Sequence, residues 1–242
     1  MKAGDVDTAV RLGRATTTAF RQLEDFWGLS ATLYHLGWGL RQSGRFDEAA
    51  RALEEAIDVA RAAGLWNTVQ WALADLAVEK VHLGELDTAR QLFDEAAAAS
   101  REVGDGAGEV LAGYGYALLA HVDENWDEAR PHYAAAVQGF TGLGTPVPEG
   151  VALSGLGRCD EADGDLIAAE ARYQEALALG RRLGEPGVTA SALEGLARLA
   201  LAARDQNAAT ARFDEAARIR EKFHRPAPPH ERRDLERLTA AR

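Results

Sequence analysis

The sequence predicts an all-α solenoid of antiparallel helix pairs, and three observations carry that prediction. First, Ala49, Ala89, Ala129, Ala169 and Ala209 stand 40 residues apart without insertion or deletion. Four residues after each comes a large side chain, Leu53, Phe93, Tyr133, Tyr173 and Phe213, and three further on come Ala56, Ala96, Ala136, Ala176 and Ala216. Offsets of three, four and seven share one helix face, so each unit shows a small–large–small stripe that lets a neighbouring helix approach closely. Second, Gly64, Gly104, Gly144 and Gly184 keep the same phase and suit left-handed helix C-caps. Third, alanine is over-used and proline is scarce, which favours helix nearly throughout.

Each unit reads as helix A, a turn, helix B and a glycine-capped turn. Expected A helices cover 28–42, 67–82, 107–122, 147–162 and 187–202; expected B helices cover 46–62, 86–102, 126–142, 166–182 and 206–222. Leu36, Leu76, Tyr116, Leu156 and Leu196 hold phase in the A helices. Asp47, Asp87, Asp127 and Asp214 are expected near helix starts or on exposed turns, where the first three suit the positive end of a helix. Residues 4–9 match 44–49, with Ala9 40 positions before Ala49, so residues 1–24 are a partial repeat with a B helix only. That half-unit start has two readings, a fragment of a larger protein, which is favoured, or a natural chain with a degenerate first cap. Five pairs then fill 25–224. Arg225 to Pro229 end the register, and 225–242 is expected to form a polar capping helix with only Leu235 and Leu238 on an apolar stripe.

The pattern resembles the tetratricopeptide repeat (TPR). Leu33, Leu36, Gly37, Gly44, Phe46, Ala49, Leu53 and Ala56 match its signature spacing; so do Leu73, Leu76, Ala77, Gly84, Ala89, Phe93 and Ala96, and Leu153, Leu156, Gly157, Gly164, Ala169, Tyr173 and Ala176. The resemblance implies a right-handed superhelix and a binding role. The period exceeds the family's usual 34, and the closing proline is missing at Arg61. The stretch Pro228-Pro229-His230-Glu231-Arg232 is similar to the C-terminus of large ATP-dependent, LuxR-type bacterial regulators. That likeness implies a sensor or scaffold region of a transcriptional regulator.

The formal net charge of −11 works against direct nucleic-acid binding and against anionic membranes. One cysteine, Cys159, allows no internal disulfide, and no apolar run is long enough to span a bilayer. A cytoplasmic location is the simplest expectation. Basic residues are Arg except for Lys2, Lys80 and Lys222, the bias of a GC-rich genome.

No catalytic signature is present: the P-loop and His-Glu-x-x-His patterns are absent, and the six histidines are scattered. Gly113-x-Gly115 and Gly155-x-Gly157 read as close helix packing, Cys159 as a buried small residue, and Glu54-Glu55 and Asp94-Glu95 as solvated faces. The reading is therefore a non-enzyme with no cofactor and no metal.

In the family, the inner wall is lined by helix A positions 2, 5, 9 and 12. Carried over, the wall includes Tyr34, Trp38, Arg41, Trp71, Val78, Tyr114, Leu118 and His121, with His82 at its rim, and further along Arg158, Glu161, Glu194 and Arg198. The first part is aromatic and aliphatic and the last part charged. Two readings stay open for the aromatics: they pack against neighbouring helices, or they line an apolar groove. The leading function is a scaffold for a protein or peptide, with Trp38, Trp71 and Tyr114 as anchors and Arg158 and Arg198 pairing with acidic groups of the partner. The alternative is a small-molecule effector sensor in the same groove, with His82 and His121 as polar contacts. An uncovered N-terminal B helix also suggests a homodimer.

Overall fold

The structure is a computed structural model that describes residues 3–104, 106–223, 226–228 and 231–232. Among these the chain forms α1 (Ala3–Gln22), α2 (Phe26–Gln42), α3 (Phe46–Ala62), α4 (Trp66–Leu83), α5 (Leu86–Val103), α6 (Gly106–Val122), α7 (Trp126–Leu143), α8 (Pro146–Ala162), α9 (Leu166–Leu183), α10 (Pro186–Ala202) and α11 (Gln206–Phe223). The class is the predicted one, all-α with sequential helices packed as pairs. The even-numbered helices from α2 to α10 are the A helices and α3 to α11 the B helices; α1 is the lone B helix at the start. The chain divides into two compact units, residues 2–116 and 117–242, with the boundary inside α6.

Every described connection uses one device. A residue in the left-handed region closes one helix and the next residue starts the following one. Glu24, Gly44, Gly64, Gly84, Gly104, Glu124, Gly144, Gly164, Gly184 and Arg204 all have φ between 55° and 81°. Where the next residue is described, its N–H bonds back five residues, as Leu65 does to Ala60 at 2.8 Å and Glu185 to Gly180 at 2.8 Å, which is the Schellman closure. Asp25, Asp165 and Asp205 then cap the next helix by accepting from the N–H three residues on, at 2.9, 3.0 and 3.0 Å. The device recurs every 20 residues, half the sequence period, and it keeps A and B helices equal in length. Glycine adopts this conformation at no steric cost, whereas a side chain there is strained. Arg204→Gly is therefore expected to stabilise the protein by about 0.5–1 kcal/mol, read as a higher thermal midpoint.

The alanine–large–alanine stripe forms the core. Ala49, Ala56, Ala169, Tyr173 and Ala176 are wholly buried, and Leu53 nearly so. In α5, α7 and α9 the large side chain of the B helix lies over a glycine of the next A helix. A Cβ at Gly115 would sit 2.3 Å from the Phe93 ring, one at Gly155 2.4 Å from Tyr133, and one at Gly195 2.5 Å from Tyr173. Gly157 meets Tyr173 likewise, at 2.8 Å, but Gly113 has open space, so close packing explains three of the four glycines read that way.

One expectation needs correction: Asp214 lies in the middle of α11, not at its start. Pro226 is in phase with Pro146 and Pro186, both first residues of A helices, and Glu231 accepts from Ser191, 40 positions earlier, at 3.0 Å. The expected stripe of Leu235 and Leu238 lies outside the described residues.

Candidate functional site

The expected wall residues of 2–116 come from α2, α4 and α6. Trp38 is 38% exposed, and Tyr34, Trp71, Val78 and Tyr114 are half-buried. Neighbouring A helices α2 and α4 touch directly, so their in-phase side chains form one face. More exposed aromatics stand elsewhere: Phe26 and Trp27 at the start of α2 and Trp66 at the start of α4. The sequence reading passed over these, because it followed the wall positions and not the helix starts.

Arg41 does not project from this face as a free cation. Its Nη1 lies 2.6 Å from Asp75 Oδ1 and 3.2 Å from Glu79 Oε1 on α4. Burial disfavours the cation, but the two carboxylates more than restore it and hold the guanidinium pKa above its usual value. Tyr34 lies near the cluster, and its phenol is raised by burial first and by the Asp75 carboxylate second. Glu79 is completely buried. His82 is not a rim residue: Nδ1 stands 3.6 Å from Glu79 Oε2, and its ring packs on Phe46 at 4.7 Å between centroids.

Asp75 and Glu79 were missed in the sequence, though a signal existed. Asp75 is in phase with Gly115, Gly155 and Gly195, and Glu79 with Leu119, Cys159 and Leu199. A charge at a position that is glycine or core in the other units marks a local departure from the repeat. The register also sets Leu53 against position 75. The three following units have a ring there that demands glycine; the shorter Leu53 leaves room for a carboxylate.

In 117–242 the expected contacts turn inward. Leu118 is 1% exposed and belongs to the core, so it cannot line a wall. His121 is also buried and its Nδ1 lies 2.9 Å from the Tyr133 hydroxyl. Arg158, Glu161 and Arg198 form one network. Glu161 takes Arg158 Nη1 at 3.2 Å and Arg198 Nε at 3.1 Å, and it accepts from the Tyr173 hydroxyl at 2.9 Å. Arg198 Nη2 donates to that same hydroxyl at 2.9 Å, and Arg158 stacks over Trp126 at 4.9 Å. Burial works against the Arg198 cation, yet Tyr173 and Glu161 hold it above its ordinary value. Glu194 belongs to a second network: Arg220 holds it in a bidentate pair at 2.7 and 2.8 Å and also reaches Glu231 at 2.9 Å. Burial raises the Glu194 carboxyl despite that partner. Three guanidiniums thus face three carboxylates. The expected pairing of Arg158 and Arg198 with an acidic partner is replaced by internal pairing.

A rule links these contacts. Tyr133 and Tyr173, the B-helix residues with a hydroxyl, have His121 and Glu161 twelve positions earlier to bind it; Phe93 and Phe213, without one, have Val81 and Leu201. A buried hydroxyl needs a partner.

Cys159 is wholly buried, and burial pushes its thiol up to about 11, so it remains an inert thiol near neutral pH. Among the described residues no cluster of ligating side chains suited to a metal ion occurs, and no helix is long and apolar enough to cross a membrane.

Tetratricopeptide repeat profiles match residues 29–63 and 148–222, each spanning helix pairs with the glycine-seated packing just described. These helix pairs are tetratricopeptide repeats. Solved TPR-containing structures and others share the fold. The chain matches BtubC (BKLC) from P. vanneervenii at 21% identity and a TM-score of 0.59, over 94% of this chain and 93% of that one. It matches a signal transduction ATPase with numerous domains (STAND) bearing a tetratricopeptide repeat sensor, from Pyrococcus horikoshii, at 18% identity and a TM-score of 0.63. That match covers 94% of this chain and 33% of the ATPase. At these identities the likeness concerns fold alone. A search of curated proteins gives no match.

Proposed function

We propose that this TPR protein is a non-catalytic scaffold that binds a protein or peptide segment along the face formed by α2, α4 and the first half of α6. The observation that carries the reading is Trp38, a large aromatic left 38% exposed beside half-buried Tyr34, Trp71, Val78 and Tyr114. Aromatic side chains are common anchors of interfaces, with a large apolar surface and few rotatable bonds. The anchors are apolar; Arg41, Arg158, Glu161 and Arg198 act as supports that fix the helices.

In this reading the chain serves as the recognition region of a bacterial regulator. The Pro-Pro-x-Glu-Arg stretch supports that, and the TPR sensor of the STAND protein offers a parallel in architecture. The effector-sensor alternative loses its two polar contacts, because His82 and His121 are both engaged inside the fold.

The test is direct. Peptides selected from a displayed library on the immobilised protein are titrated by calorimetry against wild type and Trp38→Ala. Loss of an anchor of about 2 kcal/mol gives roughly 30-fold weaker binding with the thermal midpoint little changed. Equal affinities for the two proteins would place the binding face elsewhere.

A further inference from the structure

The side of 2–116 formed by the B helices holds a cleft of about 320 Å³ that the proposed peptide face does not use. Its walls are α1 and α3 and its floor is α2. Leu33, Leu36 and Leu40 pave the floor, Thr17 and Ala52 belong to the walls, and arginine and glutamate side chains form the rim.

The cleft follows from a departure from the repeat. Ala52 is in phase with Leu92, which packs onto the core of the next pair. Thr17 is in phase with Ile57, Ala97, Val137, Leu177 and Ala217, so its own size is unexceptional. The small Ala52 on the α3 wall leaves the space that Leu92 fills one repeat on, and the floor stays apolar. A volume near 300 Å³ is at the lower end of small-ligand sites.

The rim charges are unequal. Glu48 is held by Arg14 at 2.6 Å and by both arms of Arg45 at 2.7 and 2.8 Å. Those contacts, the Arg45 hydrogen bonds first, keep its carboxyl below the usual range. Glu55 is paired with Arg21. Arg51 also lines the cleft, and both rim carboxylates are already engaged by other guanidiniums. The rim therefore carries an excess of positive charge above an apolar floor.

We propose that this cleft binds a small amphipathic carboxylate, its alkyl part on Leu33, Leu36 and Ala52 and its carboxylate on Arg51. The site lies apart from the peptide face, so the failure of either leaves the other standing.

The test uses octanoate as probe on the full chain, followed by calorimetry and thermal shift. Saturable one-to-one binding is expected, at least tenfold weaker for Ala52→Leu, which fills the space as Leu92 does one repeat on. Arg51→Gln should weaken octanoate about fivefold or more and leave 1-octanol, a neutral probe of the same chain length, unaffected. Octylammonium should bind more weakly than octanoate. An absence of saturable octanoate binding by the wild-type protein overturns the proposal, as does unchanged affinity in a folded Ala52→Leu variant. Equal binding of octanoate and octylammonium overturns the assignment to an anion.

Discussion

Replacing Glu161 by alanine is expected to destabilise the protein by about 3–5 kcal/mol in chemical denaturation. Glu161 takes both Arg158 and Arg198, and it also accepts from Tyr173. Its removal takes from the largely buried Arg198 guanidinium the carboxylate that holds it, and the cost of breaking a buried ion pair exceeds that of any lost surface contact. Glu161→Gln should cost less, about 1–3 kcal/mol, because the amide oxygen still accepts hydrogen bonds. An unfolding midpoint for Glu161→Ala equal to wild type would mean that Arg158 and Arg198 do not rely on Glu161 and are available to a partner, as the sequence alone suggested.

Arg41→Ala is expected to cost a similar amount, about 3–5 kcal/mol, for the opposite charge. Asp75 and Glu79 would remain buried at one point with their cation gone. The repeat itself supplies the control. One repeat on, Val81, Gly115 and Leu119 stand in phase with Arg41, Asp75 and Glu79. The triple variant Arg41→Val, Asp75→Gly, Glu79→Leu exchanges a buried ionic cluster for that apolar solution and should return to within about 1 kcal/mol of wild type. A triple variant as unstable as Arg41→Ala would show that the cluster is required for this pair to pack.

Much of the fold was legible. The B-helix range 46–62 was read as the structure has it, and the expected A helix 28–42 ends where α2 ends. The glycine at 64, 104, 144 and 184 is left-handed in each case. Such features are local: a stripe, a cap and a turn each declare themselves within a few residues, and the 40-residue phase repeats the message. The site was legible only in part. Tyr34, Trp38, Trp71, Val78 and Tyr114 keep some exposure, but Leu118 and His121 are buried. A position rule taken from 34-residue repeats tells which way a side chain starts, not how wide the buried stripe of a longer helix becomes.

The polar contacts were least legible, because they join residues of different helices. Arg41 meets Asp75 across 34 residues and Arg198 meets Glu161 across 37. The B helices carry pairs with the same 34-residue spacing, Arg21 with Glu55, Arg61 with Glu95 and Arg181 with Glu215. Only packing brings such side chains together, and sequence shows them as unrelated charges.

The sequence by itself determined that this protein is a run of helix pairs with glycine-closed turns and small–large–small packing, since those follow from short-range sterics repeated without interruption. The tertiary structure decided which of its polar side chains face a partner and which face each other. Burial makes an unpaired charge costly, so the arginines that looked available from the sequence are drawn to the nearest carboxylates on the neighbouring helices, and Trp38 is left as the most exposed of the predicted wall aromatics.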